Sequence, residues 1–490
     1  MKLVLNKRFF SFDALVLLFV VLFAIGMVCS KFLLSISMLS WLLTCLLHGD
    51  FSTYFKRIKN NLVFLIILLF YAIHLLSMLW TQDLDSGWDG IRVRTTLLLI
   101  PMLFTISFSL KGRNIILINH IVIASVAFIA LLNLGHYYFL TRNFLALDIR
   151  QLSWFGSHIR FGVLASFSVA IAYFNFSKKN LSPLLFWIFV AFITYYTLFS
   201  QVFSAYLSLA IVGICIVYAR MALKGWTKYF WIFLAVTLIS FGTFLTLLLN
   251  PNHSECGEFK NFELANKEWN ARSEMPLGGL DKKNQPLQST TERYMCSKSI
   301  EVNETNIRKL SATDIQNIEN GFADEYQANN GFFSRISEIK YQLYEAKNPN
   351  GHSLLQRIEY WKTATFIVSN HFFAGVGIGD IDQTFGYAYK ERHSPLSKEY
   401  QARSHNMFLT TWIGTGLVGI TLFVLLFIVG FYQSVKRRSW LLFVFMLVSL
   451  LTMFFEDSLE TQAGVSFFAF YYSFLLLGNG RIIQWSLKNN

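Results

Sequence analysis

The chain has 490 residues, of which 54% are hydrophobic, 17% aromatic and only 14% charged, too apolar and too poor in charge for a soluble domain of ordinary composition. Its net charge of +13 points to no nucleic-acid partner, because 18 Lys/Arg and 20 Asp/Glu fall in residues 251–404 and the apolar remainder keeps 24 Lys/Arg against 9 Asp/Glu. A basic excess confined to apolar sequence reflects anchoring beside an anionic inner leaflet.

A membrane span takes about 20 mostly apolar residues. Segments of that kind are predicted near 10–29, 32–48, 62–80, 95–110, 115–140, 160–176, 181–199, 201–219 and 229–249, and again near 407–432, 440–455 and 464–479. The break at Ser200 has no polar loop to mark it. The start is basic and then apolar, as in a signal peptide, but no small-x-small cleavage site follows and Val28 before Cys29 spoils a lipoprotein-type site; it is read as a retained first span.

Lys and Arg in short loops stay cytoplasmic. With the N-terminus inside, that side receives Lys2, Lys7 and Arg8, then Lys56, Arg57 and Lys59, Lys111 and Arg113, Lys178 and Lys179, Arg220, Lys224 and Lys228, Lys436 to Arg438, and Arg481 with Lys488. The short loops opposite hold only Lys31, Arg92, Arg94, Arg142, Arg150 and Arg160, and the long polar loop belongs to that side. The fold class expected is an all-α integral membrane protein of about twelve transmembrane helices. Residues 1–250 form nine spans, 251–404 a large extracytoplasmic loop domain with amphipathic helices, and 405–490 three further spans.

Cys29, Cys45 and Cys215 fall within spans, whereas Cys256 and Cys296 share the external loop, where an oxidising compartment lets them pair. Residues 251–330 are rich in Asn, Glu, Lys and Ser, with turn signals at 276–279 and 329–331, and read as a small, loosely packed insertion. Helical spacing returns in Phe332, Ile336, Ile339 and Leu343, and again in Leu354, Leu355, Ile358, Trp361 and Phe366, with Arg357 on or beside the apolar face. Both runs read as amphipathic helices at the membrane interface, separated by the turn at 348–351. The glycines of Gly375-Val376-Gly377-Ile378-Gly379 follow no predicted strand, which argues against a nucleotide loop and for a tight surface turn.

No metal-type spacing of His or Cys is present, and Asp380 with Asp382 is a close aspartate pair on the external face. Two acids in a Gly-rich turn are more often solvated than metal-bearing. His405 directly precedes the tenth span, where the positive helix end disfavours imidazolium and favours a nearby anion; a general base and a plain capping histidine fit this position equally. Arg160 opens the sixth span on the side where arginines are scarce, so it needs an anionic partner, either a phosphate held by its planar fork or an acidic side chain or lipid headgroup. Arg403 is a third phosphate contact or simply loop charge. Glu456, Asp457 and Glu460 orient His405, pair with an arginine, or merely mark a loop. His74, within the third span, is read as packed against a neighbouring helix.

The motifs Arg357-Ile358-Glu359-Tyr360-Trp361, His371-Phe372-Phe373-Ala374 with the Gly-x-Gly-x-Gly run, Ser404-His405-Asn406-Met407-Phe408-Leu409 and Gly414-Thr415-Gly416-Leu417-Val418-Gly419 stand in fixed order. Together they resemble the O-antigen ligase and lipid-linked O-antigen polymerase superfamily of bacterial inner-membrane glycosyltransferases. His158-Ile159-Arg160-Phe161 is similar to a segment of its members, whereas Gln201 stands where the family often has arginine. The resemblance implies metal-independent, cofactor-free transfer of a glycan from undecaprenyl pyrophosphate at the periplasmic face. His405 would be the base and Arg357, Arg160 and Arg403 the pyrophosphate contacts, with His158, Asn406, Gln201 and Trp361 in support. The acceptor implied is lipid A-core for a ligase, a second lipid-linked glycan for a polymerase, or a protein hydroxyl for an oligosaccharyltransferase. A polysaccharide or lipid transporter, and an adaptor binding cell-wall partners through its loop, are the alternatives from other classes.

Overall fold

The computed structural model describes residues 11–107, 112–143, 149–249, 257–282, 285–325, 339, 342 and 349–477. Their regular structure is helical apart from one β-bridge between Leu280 and Pro286. Ten helices precede the insertion: α1 (Phe12–Cys29), α2 (Lys31–His48), α3 (Phe51–Lys59), α4 (Leu62–Ser77), α5 (Leu84–Ser107), α6 (Gly112–Asn143), α7 (His158–Ser177), α8 (Pro183–Ser200), α9 (Phe203–Leu223) and α10 (Thr227–Leu249). Within the insertion lie α11 (Phe262–Asn270), α12 (Leu287–Ser297) and α13 (Ala312–Glu319). Then come α14 (Ser353–Asn370), α15 (Ile381–Glu391), α16 (Met407–Lys436), α17 (Trp440–Phe455) and α18 (Gln462–Leu476).

The chain is a multi-pass membrane protein. Each of the twelve predicted segments falls on a helix, and eight described helices (α1, α2, α5 to α9 and α16) are by themselves long and apolar enough to cross a bilayer. The third predicted segment is α4, which joins α3 at a bend of 87°. The segments at α10, α17 and α18 hold shorter apolar helices. Helix α3 lies where only a basic loop was expected; its single buried side chain is Tyr54, and Lys56, Arg57 and Lys59 fill its last turn. Cations there complement the negative helix end.

Two compact units make up the chain: Met1–Phe230, Glu359–Ser394 and Gln401–Asn490 in the first, Trp231–Ile358 and Pro395–Tyr400 in the second. Residues 359–394 and 401–404, assigned from sequence to the loop domain, therefore group with the apolar helices. In the first unit, α7 is buried on all sides, 83% of its apolar window being enclosed, as expected of a helix that is apolar all round. Phe167 of α7 packs edge-on to Phe445 of α17 and Tyr471 of α18. Helices α2 and α8 instead expose Leu43, Leu47, Leu184 and Trp187, as lipid-facing helices do. Between α8 and α9 the chain turns at Gln201, whose φ of 56° ends α8 in the left-handed conformation; this is the break that no polar loop marks in the sequence.

The second unit corrects the expectation of a loosely packed insertion. Trp269, Leu277, Leu287, Tyr294, Met295, Ile307 and Ile318 form a core of their own, each at most 1% exposed. Ser311 and Asp314 form a reciprocal capping box at the start of α13, and Asp314 also accepts from Tyr294 Oη at 2.9 Å and from Lys298 Nζ. Cys296 is disulfide-bonded, and Cys29, Cys45 and Cys215 are free. Cys256 lies outside the described residues, as does nearly all of the amphipathic helix predicted over 332–347.

Candidate functional site

The segment 402–406 is fixed by hydrogen bonds on almost every residue. Tyr389 Oη of α15 donates to the Ala402 carbonyl at 2.7 Å, and Trp361 Nε1 of α14 donates to the Ser404 carbonyl at 3.0 Å. Ser404 Oγ accepts from the Asn406 amide and lies 2.8 Å from Thr410 Oγ1. Asn406, 4% exposed, caps α16 by accepting from the Phe408 and Leu409 amides at 3.0 and 3.2 Å. Asn406 and Trp361, expected from sequence only in a supporting role, thus hold the segment in place.

His405 takes the left-handed conformation, φ 48°, which costs a non-glycine residue about 1 kcal/mol. Its neighbours are pinned on both sides, so the fold over-determines this strain. The ring lies 5.6 Å from that of Tyr360. Asp457 stands close enough for the two groups to feel each other's charge. Burial, and then the Glu460 carboxylate, push the Asp457 carboxyl above the usual carboxylate range; Thr410, whose hydroxyl donates to Asp457 Oδ1 at 2.8 Å, and the charges of His405 and Arg403 oppose this. Of the roles expected for the 456–460 acids, the Asp457 carboxyl feels the charge of His405.

Arg160 opens α7 and reaches the same segment: Nε donates to Thr461 Oγ1 at 2.7 Å and Nη2 to the Asp457 carbonyl at 3.2 Å. It also lines a cavity of about 150 Å³, together with the polar Lys31, Ser157 and Thr461 and the apolar Val28, Leu34, Phe161 and Phe467. His405 does not line that cavity. Two residues before Arg160, His158 Nε2 lies 2.8 Å from the Ser200 carbonyl, which ties α7 to the turn carrying Gln201. Asp457 thus links the two sequence-predicted groups, its carboxyl sensing His405 and its carbonyl bound by Arg160.

Arg403 is placed differently from the third phosphate contact of the sequence reading. Its fork engages both oxygens of Asp382, Nη2 to Oδ2 at 2.7 Å, and Nη1 donates to Glu460 Oε2 at 3.0 Å. Two carboxylates fill this guanidinium. Arg357 lies on α14 one turn before Trp361, in the first third of that helix, which belongs to the second unit.

The Gly-rich run is not a surface turn. Gly375, Gly377 and Gly379 are buried, and the Val376 and Gly377 amides donate to the Ile413 and Gly414 carbonyls at 2.7 and 3.2 Å, where α16 breaks at Gly416 (φ 66°). A Cβ on Gly375 would stand 2.5 Å from the Ile413 carbonyl oxygen, so backbone-on-backbone packing excludes any side chain there. Asp380 then accepts from the Gln82 and Asp83 amides, each at 2.8 Å. With Asp380 on amides and Asp382 on Arg403, the pair flagged as metal-like is spent on two separate partners.

Arg94 was missed as a site residue. It pairs with Glu460 from within α5, 2% exposed, and only its placement in a predicted external loop hinted at it. Residues 188–424 match the family model described as O-antigen ligase. No curated protein matches the chain. The matched stretch includes Gln201, Arg357, Trp361, the Gly-rich run and Arg403 to Asn406, whereas Arg94, Arg160, Asp457 and Glu460 lie outside the matched residues.

Proposed function

We propose that this protein is an O-antigen ligase-like glycosyltransferase of the bacterial inner membrane. It moves a glycan from undecaprenyl pyrophosphate to a lipid A-core acceptor at the periplasmic face, without a metal. The observation that carries the reading is His405, held in a strained conformation beside buried Asp457, with Arg160 on the same loop segment. Strain that the surroundings over-determine is a feature of functional sites.

In this mechanism the imidazole takes the proton from an acceptor hydroxyl as its oxygen attacks the anomeric carbon of the donor. The bond from that carbon to the diphosphate breaks, and the electron pair leaves with the diphosphate. Asp457 holds the imidazolium once it has formed. Arg160 stabilises the charge growing on the leaving group, the largest electrostatic contribution available here. The cavity that Arg160 lines offers both polar groups for a phosphate and apolar side chains for an isoprenoid.

The test is a reconstitution in proteoliposomes with undecaprenyl-pyrophosphate-linked glycan or a nucleotide sugar as donor, and lipid A-core, a second lipid-linked glycan or a peptide as acceptor. Lipid A-core should become glycosylated from the lipid-linked donor alone. Absence of turnover with every lipid-linked donor would overturn the assignment.

A further inference from the structure

Arg94 has no part in the mechanism above, yet its surroundings are built with care. Only 3% of its side chain is exposed, Nη1 donates to the Gly90 carbonyl at 3.1 Å, Nη2 pairs with Glu460 Oε1, and Nε is buried without a hydrogen-bond partner. A guanidinium enclosed in this way costs several kcal/mol, roughly, unless a carboxylate compensates it. Glu460 supplies that charge and also accepts from Arg403 through its other oxygen at 3.0 Å, and Arg403 in turn grips Asp382. The result is a chain of alternating sign, Arg94, Glu460, Arg403, Asp382, that starts inside α5 and reaches a residue two before His405.

We infer that Arg94 is a positioning residue: acting through Glu460 and Arg403, it fixes the 403–405 segment and balances the charge around the imidazole. This rests on the base role proposed for His405. The charged and titratable groups gathered there are Arg403 on its own segment, Tyr360 on α14, and Glu456, Asp457 and Glu460 between α17 and α18. Behind them stand Arg94 from α5, Asp382 from α15 and Arg160 from α7, while Glu359 of α14 is taken up by Lys362 and Arg392.

The two ends of the first pair act on the imidazole with opposite sign. Loss of Arg94 leaves Glu460 under-compensated, which favours imidazolium, and the acid limb of the rate profile moves to higher pH. Loss of the Glu460 charge leaves two arginines, which disfavours imidazolium, and the limb moves to lower pH. A purely mechanical brace gives no such opposition.

The experiment measures release of undecaprenyl pyrophosphate from its linked glycan, with lipid A-core acceptor, across pH in proteoliposomes of wild type, R94Q, R94K, E460Q and H405A. R94Q should move the acid limb up by about half a unit or more and E460Q should move it down, with R94K close to wild type. Unmoved limbs, or limbs that move the same way, in a background where H405A is inactive overturn the inference and leave the proposed base intact. An active H405A overturns the base role and the inference with it. Should R94Q fail to reach the membrane, E460Q decides alone: a downward limb supports the inference and an unmoved limb ends it.

Discussion

Arg160 and Arg403 look alike in sequence, and the fold separates them by what each guanidinium already holds. Arg403 is filled by Asp382 and Glu460, whereas Arg160 donates to a hydroxyl and a carbonyl, feels the charges of Glu456 and Asp457, and also lines a cavity. Arg160→Ala should therefore lower donor turnover about a hundredfold, with Arg160→Lys in between, since lysine restores the charge but not the fork. Equal, undiminished rates for both variants in the proteoliposome assay would rule out contact with the leaving group. His405 was legible because Ser-His-Asn ahead of a long apolar run marks a helix start. Arg94 was not, because its partner Glu460 lies 366 residues away and no local pattern records such a pairing.

At the scale of elements, the Gly-rich run shows how a correct turn prediction can carry the wrong environment. Glycine density announces a turn, but only the break in α16 at Gly416 explains why side chains are excluded. Gly375→Ala adds a Cβ at φ 71° against backbone atoms and should cost about 2 kcal/mol or more. Gly386→Ala, with open space around its Cβ on α15, should be neutral or slightly stabilising. Thermal unfolding of the two variants in detergent checks this, and equal midpoints would contradict the packing argument. The insertion was misjudged because its apolar residues are few and spread without helical rhythm, yet they converge on Trp269 and Tyr294.

Asp314 gives that insertion a pH signature. Burial alone would raise its carboxyl, but the Ser311 amide, Lys298 and further hydrogen bonds win and bring it down to about 2. A depressed carboxyl contributes stability that is complete above its ordinary value near 4 and is lost as pH falls towards 2. Limited proteolysis of the full chain should show the 257–325 region protected at pH 7 and progressively cut below about pH 4. Asp314→Asn should already be sensitive at pH 7, because the capping box and the Lys298 pair are both weakened. Wild-type resistance in that variant at every pH would remove Asp314 from the account.

For the whole molecule, apolar run length located a helix at every predicted span, because lipid demands helices whose backbone groups are satisfied internally. Run length did not foresee the 87° bend between α3 and α4, or the shortness of α17 and α18, since tertiary packing sets where a helix stops. Neither does it show that five distant stretches, around residues 94, 160, 382, 403–406 and 457–461, meet at one cluster of charge. The most direct measurement of what that cluster does is glycan transfer from undecaprenyl pyrophosphate by purified wild type and His405→Ala, in proteoliposomes with chelator present throughout. The account predicts unimpaired transfer by the wild type and none by the variant, although both are inserted. Transfer by His405→Ala at the wild-type rate, or wild-type activity that vanishes with chelator and returns with a divalent cation, would contradict it.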